Sequence, residues 1–201
     1  MKLSRALVVA MLGIACHRDE PTPAPSALTA SIVARELPAD LSIELERTGH
    51  FYSPTYTVKV DAAGLVTWDG VSYVNAKGSR SARIPVDSVR DLLARFDALH
   101  FVELKDDYSI FSSDCPTTVF TLKLNNHAKK VRLYWAGTPE WGFENVHRDA
   151  ADKWVSDKGE WVSEINKDLG TFVELEALAK AIDDEAGTAQ WIGDAPSKRH
   201  R

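Results

Sequence analysis

Two runs of every-second-residue alternation constrain this chain more than anything else in it. In "TYTVKVDAAGLVTWDG", residues 55–70, Tyr56, Val58 and Val60 alternate with Thr57 and Lys59; a "DAAG" turn comes next, and Leu65 to Trp68 return. In "PTTVFTLKLNNHAKKVRLYW", residues 116–135, Phe120, Leu122 and Leu124 share one face, and Val131, Leu133 and Trp135 answer them across "NNHA". Successive side chains of a strand point to opposite faces, so each run predicts a hairpin with one buried side. "LSIELERTG" adds a strand through Leu41, Ile43 and Leu45, and "VSYVNAKG" and "SRSARI" read as two shorter ones. The first third of the chain is therefore expected to be an antiparallel meander.

Between the two runs the period changes. In "PVDSVRDLLARFDALHF", Val89, Leu92, Leu93 and Phe96 fall at the spacing of one helical face, and Pro85 sits where a first-turn proline is tolerated. A last helix, "FVELEALAKAIDDEAG", brings Leu175, Leu178 and Ile182 together and ends near Gly187. Strands, helix, strands, helix predict an α+β fold: an antiparallel sheet, meander plus hairpin, covered on one face by two or three helices. Residues 136–170 lie between the last strand and the last helix. Read as a helix, they place Trp154, Trp161, Ile165 and Leu169 on one stripe, weakened by Gly159 at up to about 1 kcal/mol. That stripe either packs on the core or offers aromatic surface to a partner or a sugar.

The N-terminus bounds the destination. "MKLSRALVVAMLGIAC" has Lys2 and Arg5, then an apolar run over 6–15, then Cys16. The run is shorter than the roughly 20 residues a spanning helix needs, so 1–15 read as a secretory signal. The pattern resembles a bacterial lipoprotein signal, which makes Cys16 the lipidation site, although Gly13 stands where leucine is usual. His17 after the cysteine implies, on the usual sorting pattern, the outer membrane facing the periplasm. The alternative is cleavage to a soluble secreted or periplasmic protein. Residues 16–38 are rich in Pro, Ala and Thr and read as a flexible tether. A single domain is expected over 39–193, with a basic tail, 194–201, after it. The whole chain carries net charge −5, and removal of Lys2 and Arg5 makes it −7. That balance, without a basic stripe, argues against nucleic acid as a partner. With only two cysteines, and Cys16 lipidated, Cys115 has no partner for an intramolecular disulfide.

The order of several short motifs carries a resemblance. Arg47, Thr48, Pro54 and Tyr56 open it, "VTWDG" at 66–70 is second, then come Asp106, Asp107 and Tyr108. Ser113, Asp114, Pro116, Thr117 and Thr118 are next, and "AGTAQW" at 186–191 closes it. In this order they resemble a bacterial domain family of unknown function found in lipoproteins and exported proteins. The resemblance covers about residues 40–135 and 172–192 and implies no established activity. The family's opening segment, R-T-x-C-x-G-x-C-P-x-Y, has two cysteines that this chain lacks. His50 stands in the first place and the second is deleted. Disulfide, metal or redox work by that pair is therefore lost, and one histidine is a poor zinc site. His50 and Tyr52 read as exposed turn residues.

No metal-binding histidine spacing, CxxC, nucleophile elbow, P-loop or Rossmann glycine pattern occurs, and no cofactor is implied. The adjacent pairs Asp106–Asp107 and Asp183–Asp184 read as solvated charges rather than an acid/base couple. Asp114 ahead of Pro116-Thr117-Thr118 suits loop capping, or a binding role shared with Asp107 and Tyr108. The leading expectation is an envelope lipoprotein whose domain binds without catalysis, anchored by lipid and engaging an envelope protein or glycan. A carbohydrate- or peptidoglycan-binding module using Trp154 and Trp161 is one alternative. An enzyme centred on the Asp114 loop is another.

Overall fold

The computed structural model describes residues 30, 36–49, 53–109, 115–134, 146–148, 154–156 and 162–193. The signal segment, Cys16, most of the tether, His50, Tyr52, Asp114, Trp135, Trp161 and the basic tail lie outside the described residues.

Seven strands form one sheet in the order β4-β3-β2-β1-β6-β7-β5. They are β1 (Ser42–Thr48), β2 (Thr55–Asp61), β3 (Leu65–Ser72), β4 (Gly78–Arg83), β5 (Asp107–Ser109), β6 (Thr117–Leu124) and β7 (His127–Tyr134). β1 to β4 are the expected meander, except that "VSYVNAKG" forms no strand of its own: Val71 and Ser72 end β3, and residues 73–77 connect it to β4. β6 returns to pair with β1, which puts the first strand at the centre of the sheet. The wholly antiparallel sheet also needs correction. Asp107 and Tyr108, in a stretch where no strand was expected, lie in β5, and β5 runs parallel to β7. The sheet is therefore mostly, not wholly, antiparallel.

The turns obey local chemistry. Asp61 Oδ1 accepts the Ala63 and Leu65 N–H groups, and Gly64 takes φ +74°. In the second hairpin only Asn125 and Asn126 turn, at φ 52° and 63°, while His127 and Ala128 belong to β7. Asparagine tolerates that left-handed geometry better than most residues, and Asp40 accepts both turn N–H groups.

The first helix, α1 (Val86–Ala98), starts directly after Pro85 and buries the expected Val89, Leu92, Leu93 and Phe96. His100, at φ 50°, turns the chain into a short 3-10 segment, Phe101–Glu103. The second helix, α2 (Val162–Ala186), is one 25-residue element, and α3 (Ala189–Ile192) is a single turn after Gly187. Ile43, Leu45, Val58, Val60, Phe120 and Leu133 from the strands join buried residues of both long helices in one core.

The aromatic stripe does not form as expected. Trp154 opens a strand, β9 (Trp154–Ser156), paired antiparallel with β8 (Val146–Arg148). Helix begins only at Val162, so Trp154 is on no helix. Trp154 and Val155 have high strand propensity, and Gly159 disfavours helix between them and Val162.

Candidate functional site

Of the residues picked from the sequence, the neighbours Asp107 and Tyr108 are not brought together. Asp107 is exposed and ion-paired to Arg132, whose hydrogen bond holds the carboxyl below its usual range. Tyr108, its neighbour in β5, is buried against Phe172 at 5.9 Å, edge to face. Its hydroxyl accepts the Lys105 N–H at 3.2 Å. Alternation within the strand thus sends the two side chains to opposite faces. Thr117 sits half-buried between Thr48 and Tyr134. Asp114 and Trp161 lie outside the described residues. An exposed pair such as Asp107–Arg132 contributes little, so D107A and R132A should each stay within about 0.5 kcal/mol of the parent in urea denaturation.

A different group of polar residues does converge, and it lies against the core. Arg47 and Tyr56 are cross-strand partners on β1 and β2. Glu176 and Asp183 stand seven residues apart on α2, beside the apolar stripe of Leu175, Ala179 and Ile182. Thr188 lies just beyond the helix. The Tyr56 hydroxyl lies 2.8 Å from both carboxylate oxygens of Asp183, and Thr188 Oγ1 donates to Oδ1 at 2.9 Å. Arg47 Nε lies 3.3 Å from Asp183 Oδ2 without the alignment of a hydrogen bond, and its Nη1 is 3.9 Å from Glu176 Oε2. The Arg47 side chain retains 26% exposure and that of Asp183 16%. Asp183 is therefore not the solvated helix-end charge expected from its place beside Asp184. Asp184 alone fits that description, exposed and paired with Lys180 one helical turn before it.

Burial governs the electrostatics. Desolvation raises the proton affinity of Asp183 and of Glu176 and outweighs the attraction of the Arg47 guanidinium. Burial, with Asp183 beside it, also pushes the Tyr56 phenol well above its usual range, so it stays a donor. Burial works against the Arg47 charge, but the surrounding anionic groups carry its pKa above the ordinary value. One cation and two carboxylates give the cluster a formal charge of −1 when both acids are ionised.

Aromatic packing fixes the phenol. The Tyr56 ring stacks on Trp68 at 4.5 Å, and the Trp191 ring of α3 lies 5.5 Å from that of Trp68. Trp68 Nε1 donates to the Ala76 carbonyl at 2.9 Å. The C-terminal turn is held to the same loop by two backbone bonds, Asn75 N–H to Ile192 O and Ala76 N–H to Trp191 O. Gly70 makes the approach possible: a Cβ there would lie 2.1 Å from the Ala76 oxygen.

Sequence reasoning named Tyr56 as a strand residue, and Arg47 and the closing "AGTAQW" as marks of resemblance, without joining them into a site. A signal was available. Polar residues interrupt core-facing positions at Arg47 on β1 and beside Ile182 on α2, and buried charge demands a partner.

A mostly antiparallel sheet, two long helices in its core, and a polar clasp between strand and helix define an α+β domain. Its sequence assigns it: residues 41–150 match a domain of unknown function (DUF6438), and the chain belongs to that family. No curated protein matches the chain.

Proposed function

We propose that this is an exported protein, held to the outer membrane by lipid on Cys16, whose domain binds a partner rather than turning over a substrate. In this reading the helices cover one face of the sheet, and recognition belongs to surfaces away from the clasp. The observation that carries it is the commitment of Asp183. Its carboxylate takes the Tyr56 and Thr188 hydroxyls and the Arg47 charge together. An acid so engaged holds elements in place and has little capacity left for a reacting group. The signal segment and tether support export.

Two measurements test the reading. Residues that serve chemistry are commonly held at a cost to stability, so removing them leaves stability unchanged or raises it. A clasp behaves oppositely: Y56F removes a hydrogen bond to a charged group and should cost about 1.5 kcal/mol in urea denaturation. A Y56F protein as stable as the parent would point to a reactive site instead. Metabolic labelling with an alkynyl fatty acid should mark the wild type and not C16S, and C16S should leave the membrane fraction. An unlabelled, soluble wild type would reject the anchor.

A further inference from the structure

The meander ends in a strand with an open side. Among the described residues β4 pairs only with β3, over six consecutive residues without a register shift, and it is last in the sheet. The opposite edge, β5, is only three residues long. Five of the six β4 residues are exposed. The Ile84 N–H bonds to the Gly64 carbonyl at 2.9 Å, which sets the phase of the antiparallel ladder. By that alternation Gly78, Arg80 and Ala82 bond to β3, and the N–H and C=O groups of Ser79, Ser81 and Arg83 point outward.

The charge on this edge runs against the rest of the protein. Residues 77–83, "KGSRSAR", hold three cations and no acid in a chain of net charge −5. Lys77, Arg80 and Arg83 are all exposed. Among the described residues none of them pairs with a carboxylate. Arg80 instead places its guanidinium on the Ser79 carbonyl, 2.7 Å away on its own edge. Edge strands are often protected by charge, bulges or proline. Here there is no bulge, and Pro85 lies beyond the strand. The arginines alone discourage pairing of two copies, because like charges would line up, and they favour an anionic strand.

We propose that β4 is a docking edge for an extended acidic strand of a partner protein. The inference deepens the binding reading above and rests on it. Arg80 lies on the face of Trp68 and Arg83 on the face of Leu65, so the two guanidiniums project from opposite sides of the strand. An added strand reaches both with carboxylates three positions apart, since an odd spacing also places side chains on opposite faces. Backbone bonds to Ser79, Ser81 and Arg83 supply the affinity, and the arginines supply the selection.

The test uses the full chain lacking its signal. The probe is a blocked eight-residue peptide with two glutamates three positions apart among threonine and valine. Beside it runs the same peptide with both glutamates changed to glutamine. Amide exchange and chemical shifts at Ser79, Ser81 and Arg83 are read by NMR. The glutamate peptide should slow exchange at these three amides. The glutamine peptide should bind roughly tenfold more weakly, and R80E/R83E should lose a similar factor with an unchanged melting curve. Equal binding of both peptides, binding elsewhere, or no binding would overturn the proposal. So would a dimer in sedimentation equilibrium that pairs through β4. The Y56F result is independent of these arms. If Y56F remains destabilising while the edge gives no response, the binding reading stands and only its location falls.

Discussion

A chain ending at residue 150 is expected not to fold cooperatively, although it contains the whole family match. The reason lies in the two C-terminal helices. Phe172, Leu175, Leu178, Ala179 and Ile182 on α2, and Trp191 on α3, are buried in the same core as the strands. Leu175 and Ile182 are fully inaccessible. Burying one large apolar side chain stabilises by about 1.5–3 kcal/mol, so losing five of them, with Ala179, removes an amount comparable to the whole 5–15 kcal/mol that a domain usually has in reserve. Truncation would also uncover Ile43, Val58 and Phe120 on the sheet. The fragment should lack near-UV circular dichroism, bind a hydrophobic dye and be cut rapidly by protease. Dispersed amide NMR signals and a sharp urea transition from that fragment would show that the strands and α1 suffice.

Removing the Asp183 carboxylate should be the most damaging single polar change. D183A leaves the Tyr56 hydroxyl without its acceptor, strips Arg47 of its nearer counter-charge, and takes the side-chain acceptor from Thr188. Breaking a fully buried charge pair costs about 3–5 kcal/mol; partial exposure here brings the expectation to about 3 kcal/mol. The pH dependence has an unusual sign. Burial raises the folded-state pKa of Asp183 and Glu176 above the ordinary 3.8 and 4.5. The folded protein therefore binds these protons more tightly than the unfolded chain does. Their favourable contribution is full below the ordinary carboxylate values and is lost as pH rises through the raised ones. Acidification through the raised values should thus strengthen this cluster, against the usual direction for ion-paired acids. D183N keeps an acceptor for Tyr56 and should flatten that part of the profile. A D183N profile parallel to the parent would place the titration elsewhere.

Much of the architecture was legible because it is local. Alternation found β1, β2, β6 and β7, and helical spacing found the buried face of α1. What escaped depends on partners far away in sequence. Nothing within "DDY" says that Asp107–Ser109 will lie parallel to a strand beginning at residue 127. Trp154 to Leu169 fits a helical period, but periodicity cannot see strand pairing with Val146–Arg148. The clasp was hidden for a related reason. Asp183 and Asp184 look alike in sequence, and only their position around α2 separates a buried acid from a solvated one. Asp107 and Tyr108 part for a simpler reason, since adjacent residues of a strand face opposite sides.

The clasp joins the second strand to the second helix, and Tyr56 and Asp183 are 127 positions apart in sequence. Closing so long a loop must precede the reward of the contact, which slows folding. Until Asp183 and Trp191 have been made, the Tyr56 hydroxyl lacks its acceptor and Trp68 lacks its helical neighbour. The strands made early are therefore among the last parts of the domain to gain their full set of contacts.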